Sequence, residues 1–318
     1  MSHLTAYLKG QQVLVDDALN RFLPRVTVRP KTVHQGMRYS VFAGGKRLRP
    51  ILTLAAAEAC GGEMKNGLPP ACSVEIMHTY SLVHDDLPSM DDDDLRRGRP
   101  TSHKVYGEGM AVLIGDALLT EASTILAETP PTKRYDLKDI LLEFSVCGGS
   151  RRLIGGQVLD LEGEGKELSK AQLVRIHENK TAALLTTSLR LGGMTANATP
   201  RQLDALTDFG YNLGLAFQVI DDILDVTQST AQLGKTAGKD EVVDKATYPS
   251  ILGLNKSKKE AARLTRKALE ALTVFGRRGK RLEEIAHYLL DREFFFFFSL
   301  KQLLLVRRRQ FTPRHPRS

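Results

Sequence analysis

A chain of 318 residues, 42% hydrophobic and 26% charged, can bury a large core, and its composition is that of a globular protein. The formal charge of +8 does not mark a nucleic-acid binder. Segment 294–318 holds six basic residues (Lys301, Arg307, Arg308, Arg309, Arg314, Arg317) and no acidic one, which leaves the body nearly neutral. Cys60, Cys72 and Cys147 are scattered, with neither a CxxC pair nor zinc spacing, which fits a reducing, cytoplasmic setting and excludes a metal-thiolate centre.

In chain order, the first twenty residues read as an amphipathic helix with acidic residues, unlike a signal peptide. Residues 49–60 form an Ala- and Leu-rich helix stopped by Gly61-Gly62, and a helix over 71–86 follows the break at Pro69-Pro70. Further helices are expected over 109–128, 170–193, 199–228, 258–276 and 281–293. No strand pattern stands out, and no segment reaches the ~20 apolar residues of a membrane span. Several helices are apolar on more than one side. The expectation is one all-α domain around a central pocket, with a helix in its middle.

Two acidic segments break this apolar background. Asp85-Asp86-Leu87-Pro88-Ser89-Met90-Asp91 ends the second of these core helices, and Asp221-Asp222-Ile223-Leu224-Asp225 lies on a later one. Asp221 and Asp225 stack on one helix face, joined by Gln218, beside an apolar stripe of Leu213, Phe217, Ile220 and Leu224. Such a row is costly unless a cation sits on it, and Mg²⁺ with its oxygen ligands and a substrate phosphate is the natural candidate. An EF-hand starting at Asp91 fails, because Leu95 and Arg96 occupy its fifth and sixth positions; "GKTAGKD" (234–240) is one residue short of a P-loop. Cations suited to diphosphate are also present: Lys46, Arg47 and Arg49 after two glycines, Arg96-Arg97, Lys180-Thr181, and Lys235 and Lys239.

The motifs "GGKRLRP", "HDDLPSMDDDDLRRGRPT", "GGQVLDL", "NKTAALL", "FQVIDDILD" and "GKTAGKD" follow one another along residues 30–292. In this order the chain resembles trans-type short-chain prenyl diphosphate synthases, most closely the bacterial farnesyl type. The resemblance implies the isoprenoid synthase fold, a homodimer, and condensation of isopentenyl diphosphate with an allylic diphosphate. It implies three Mg²⁺ ions held by Asp85, Asp86, Asp91, Asp221 and Asp225. By the same pattern Arg96, Lys180, Gln218 and Lys235, with Thr181 in support, hold the allylic diphosphate. Lys46, Arg49, His78 and Arg97 hold isopentenyl diphosphate. Lys180, Asp85 and Asp221 are the residues on which catalysis rests. Tyr80 and Ser81, just before Asp85, set product length, and the aromatic at Tyr80 favours farnesyl over geranylgeranyl or geranyl product. A noncatalytic partner subunit is the alternative outside enzymes, disfavoured because both acidic motifs are intact.

Two features depart from the pattern. Arg151-Arg152 precede Gly155-Gly156-Gln157 where small or apolar residues are usual, so they either perturb a helix or face solvent. Five Phe (294–298) then replace the usual chain end. The domain is therefore taken as 1–293. The remainder reads as the product of a frameshift at a homopolymer run, with a membrane-surface anchor as the alternative.

Overall fold

The computed structural model describes residues 3–227 and 246–290. Within them the chain runs α1 (His3–Phe22), α2 (Lys31–Val41), α3 (Leu48–Ala59) and α4 (Met64–Asp85). A small hairpin follows, β1 (Leu95–Arg96) and β2 (Arg99–Pro100), then α5 (Ser102–Tyr106), α6 (Glu108–Leu126), α7 (Leu137–Gly148) and α8 (Leu153–Gly163). Next come α9 (Lys170–His177), one π-helical turn (Glu178–Ala182), α10 (Ala183–Thr195) and α11 (Pro200–Thr227). After the segment outside the described residues stand α12 (Tyr248–Leu252), α13 (Leu254–Ala271), a 3₁₀ stretch (Leu272–Gly279) and α14 (Lys280–Leu290). The all-α expectation holds, and the hairpin is its one exception among the described residues.

The helix in the middle is α10. Leu184, Leu185, Ser188, Leu189, Leu191 and Met194 are all buried, and α3, α4, α7 and α11 surround it. Gly192 permits the approach to α3, since a Cβ there would collide with the Thr53 carbonyl. Two apolar clusters flank α10. One joins α3, α10, α11, α13 and α14 through residues such as Leu52, Leu189, Phe209, Val219 and Leu282. The other joins α1, α4, α6 and α7 through Leu19, Ile76, Ile114 and Phe144. Each such side chain contributes about 1.5–3 kcal/mol by leaving water.

Three expectations are corrected. The helix expected from residue 71 begins at Met64 and carries Pro69-Pro70 inside it. The carbonyls these prolines leave without an N–H partner belong to Lys65 and Asn66, which lie at the solvent-facing helix start. The helix expected over 170–193 is interrupted by the π turn. The helix expected over 258–276 starts at Leu254 and gives way to 3₁₀ geometry, ending in a kink where Gly276 takes φ 53°. In addition, α6 is long and apolar enough in composition to cross a membrane. It nonetheless lies against α4 and α2, with Ala111, Ile114, Leu118 and Ala122 in the core and Val112 and Leu113 outside.

Candidate active site

Sequence places Asp85 at the last turn of α4, and the spacer after it determines where Asp91 goes. Pro88 cannot continue the helix. The chain turns back instead, so that Asp91 N–H donates to the Asp85 carbonyl (2.8 Å) and Asp92 N–H to that of Leu87 (3.1 Å). Asp92 completes the turn in the left-handed region at φ 48°. Asp85, Asp86 and Asp91 thus meet at one helix end. Burial pushes the Asp85 carboxyl up to about 6; Lys180 and Arg96 oppose this, while Asp91 and Asp86 add to it. Burial also raises Asp86, which Arg96 counters.

The hairpin explains how adjacent arginines serve different places. Arg97 and Gly98 form a two-residue turn with φ 54° and 74°, the double-positive geometry that matches strand twist. Arg96, before the turn, donates from Nε to Asp86 Oδ1 (2.9 Å) and from Nη2 to Asp93 Oδ2 (3.1 Å). Arg97, in the turn, donates to the Gly44 carbonyl and lies over Gly45, where a Cβ would stand 2.7 Å from its Cζ. The other late aspartate is also occupied, as Asp94 pairs with Lys104 at 2.7 Å.

Arg97 thereby joins Arg49 and His78. The Nε of Arg49 is buried without a hydrogen-bond partner, and burial lowers the Arg49 pKa, with Arg97 adding to the effect. His78 is held well below its usual value by burial, then by Arg49 and Arg97, and is therefore neutral. Arg47 turns away from this group. Taking φ 50°, it pairs with Asp16 (2.7 Å) and Glu75 (2.9 Å) and donates to the Val41 carbonyl. Of the cations in "GGKRLRP", Lys46 is exposed and Arg49 faces the His78 cluster, while Arg47 anchors the loop to α1 and α4.

Lys180 and Thr181 sit on the π turn, flanked by two glycines. A Cβ on Gly156 of α8 would stand 2.8 Å from the Asn179 carbonyl carbon, and one on Gly214 of α11 would stand 2.6 Å from Ala182 Cα. One helical turn after each glycine comes a residue that grips the π turn. Asp160 Oδ2 lies 2.6 Å from Lys180 Nζ, and Thr181 Oγ1 donates to Gln218 Oε1 at 3.1 Å. Gln218 in turn donates to Asp222, not to Asp221, and the second Asp222 oxygen accepts from Tyr248 N–H (2.9 Å). Asp222 is thus an anchor between α11 and α12, while Asp221 is half-buried and Asp225 buried. Ser81 donates to the His78 carbonyl within α4, and Tyr80 is buried beside it. Lys235 and Lys239 lie outside the described residues.

Lys180 is the strongest of the charges that lower Asp85, and the Thr181–Gln218 bond ties Lys180's turn to the helix bearing Asp221. Asp160, Asp93 and Asp222 were not singled out from sequence. Asp160 stands inside the quoted "GGQVLDL", and its pairing with Lys180 follows only from helix packing. Arg151 and Arg152 are exposed in the turn between α7 and α8, and Arg152 Nη1 reaches Asn179 Oδ1 of the π turn at 3.5 Å. Burial pushes each of the three thiols up to about 12, away from the thiolate form. The oxygen-only donor set and the raised carboxyls of Asp85 and Asp86, with Asp91 adding to the repulsion on both, suit a hard divalent cation. Among the described residues no three such side chains are preassembled as a chelate.

A helical fold with carboxylates at two helix faces and a separate knot of cations defines a class of enzymes acting on diphosphates. The polyprenyl synthetase family profile matches residues 30–283, and the chain belongs to that family. Geranylgeranyl pyrophosphate synthase of Catharanthus roseus is 47% identical over 292 residues, covering 91% of this chain and 81% of its own. Farnesyl diphosphate synthase of Geobacillus stearothermophilus is 44% identical over 261 residues, covering 80% and 86%. The FPP/GFPP synthase structure from Zymomonas mobilis superposes with TM-score 0.80 at 31% identity, covering 90% of this chain and 98% of its own.

Proposed function

We propose that the protein is a Mg²⁺-dependent prenyltransferase that condenses isopentenyl diphosphate with dimethylallyl or geranyl diphosphate to give farnesyl diphosphate. The observation that carries this reading is the sorting of charge around the hairpin. One side offers carboxylates with Lys180 and Arg96, suited to a diphosphate that arrives with metal. The other offers Lys46, Arg49, Arg97 and neutral His78, suited to a diphosphate that arrives without it.

Asp85, Asp86, Asp91, Asp221 and Asp225 would hold the Mg²⁺ ions. Bound there, Mg²⁺ would stabilise negative charge on the leaving diphosphate. Lys180, Arg96 and Lys235 orient that diphosphate and share its charge, with Thr181 and Gln218 keeping Lys180's turn in place. Arg49, Arg97, Lys46 and His78 hold isopentenyl diphosphate with its double bond toward the allylic carbon. Carbon–carbon bond formation is followed by loss of a proton, which the departing diphosphate accepts. No side-chain nucleophile is required, and the apolar helix walls keep water from the cation.

Tyr80 supports the farnesyl product. Its phenol is raised to about 12 by burial, then by Asp85 and Cys147, and its buried ring packs edge-on to His84 at 5.8 Å. Buried five residues before Asp85 on the same helix, the ring would bar a growing chain that starts there. The geranylgeranyl reading is favoured by the naming of the Catharanthus roseus relative. Exposed Val112, Leu113, Leu142 and Val146 on α6 and α7 support a homodimer, and three unpaired thiols support a cytoplasmic setting.

The deciding experiment incubates purified protein with isopentenyl diphosphate, each allylic primer and Mg²⁺, and reads product length. Farnesyl diphosphate is expected as the main product. A geranylgeranyl product overturns the chain-length assignment, and no condensation with any primer overturns the reaction. In the same assay Tyr80→Ala is expected to shift products to twenty carbons or more.

A further inference from the structure

We infer that Asp160 is the positioning residue of Lys180, keeping its ammonium available to the allylic diphosphate and out of the carboxylate cluster; the inference rests on the function proposed above. A lysine side chain has four carbons and ~2 kcal/mol of rotamer entropy, so its charge has no fixed place unless something holds it. Two carboxylates compete for this one. Asp160 Oδ2 lies at 2.6 Å, and Asp85 lies close enough that Lys180 is the strongest of the charges lowering its pKa.

The fold sets the outcome of that competition. Asp160 is only 9% exposed, on the inner face of α8, so its carboxylate is fixed and poorly screened. Gly156, one turn earlier, lets α8 lie directly on the backbone of Asn179 and Lys180, which brings the carboxylate within reach. Without Asp160 the ammonium loses the carboxylate that holds it at 2.6 Å, and the acidic cluster at Asp85 is left to draw it in. There it would neutralise charge meant for the metal and leave the diphosphate without one of its cations.

The test reads equilibrium binding by calorimetry, using a non-ionisable allylic diphosphate analogue with Mg²⁺ and, separately, isopentenyl diphosphate. Asp160→Asn keeps the shape and an acceptor oxygen but removes the charge. It is expected to weaken the allylic analogue about tenfold and leave isopentenyl diphosphate within twofold, as coupling between contacting residues allows. Asp160→Glu restores part of the loss. In a Lys180→Ala background, Asp160→Asn adds nothing further.

Additive losses in that background would show Asp160 acting on its own and overturn the inference, as would an equal loss for both ligands or no loss for either. A wild type that condenses substrates while Asp160→Asn binds normally sinks this inference and spares the proposed function. A wild type that fails to bind the analogue sinks both.

Discussion

Asp85 illustrates how one residue carries two opposed demands. Its place at the end of α4 buries it beside two other carboxylates, which raises it to about 6, and only cations at that site make the arrangement favourable. Asp85→Ala and Asp221→Ala are each expected to lower turnover about a thousandfold with the helical circular dichroism intact, as for loss of a group that stabilises developing charge. Near-normal rates would refute these roles. Arg47 behaves differently, although it sits among the same motif cations. It and Glu75 are 3% and 2% exposed and face each other at 2.9 Å. Arg47→Ala leaves Glu75 buried and unpaired and is expected to cost about 3–5 kcal/mol in denaturant unfolding. A loss below 1 kcal/mol would show that the pair does not anchor the loop.

At the scale of elements, the π turn is the feature that the proposed chemistry depends on most. A regular helix through 170–195 would rotate Lys180 and Thr181 away from Asp160 and Gln218, whereas the extra residue in the turn brings both to the side where α8 and α11 converge. Gly156 and Gly214 leave no room between those helices and the turn. Gly214→Ala is expected to push α11 from the π turn, breaking the Thr181–Gln218 bond, and to lower activity at least tenfold while the protein stays folded. The result is read as activity against melting temperature in the same preparation. Unchanged activity would mean the turn does not depend on close packing. The hairpin plays the matching part for Arg96 and Arg97: two positive-φ residues send successive guanidinium groups to different ligands.

For the molecule as a whole, the domain was taken as 1–293, and its final residues with the Phe run lie outside the described part. A chain ended at Glu293 is expected to keep full activity and to be more soluble than the full chain, measured by sedimentation of lysates and by specific activity. Loss of activity, or unchanged solubility, would sink the assignment. The surface of α6 and α7 belongs to this scale too. Leu113 of α6 is 56% exposed and Leu142 of α7 58% exposed. In the proposed homodimer a second copy would bury that face, and Leu113→Asp with Leu142→Asp is expected to give a monomer in analytical ultracentrifugation. A dimer unchanged by both substitutions would place the interface elsewhere.

Sequence by itself determined that the chain is helical with a helix in its middle, and it marked two acidic segments and several cations as candidates for one chemistry. Those features are local: the periodicity of apolar residues sets a helix and its buried face, and a row of carboxylates beside that face implies a cation. It also placed Pro69-Pro70 wrongly as a helix boundary, because a proline's effect depends on whether the carbonyl it leaves unpaired can reach water. Tertiary structure alone decided which cations are free to act. Arg47 and Arg49 are two residues apart and equally basic, yet one is consumed by Asp16 and Glu75 while the other keeps a buried Nε without a partner. Asp160 became visible in the same way. Its meeting with Lys180 depends on two helices approaching through a glycine, a long-range contact that no spacing within either helix encodes.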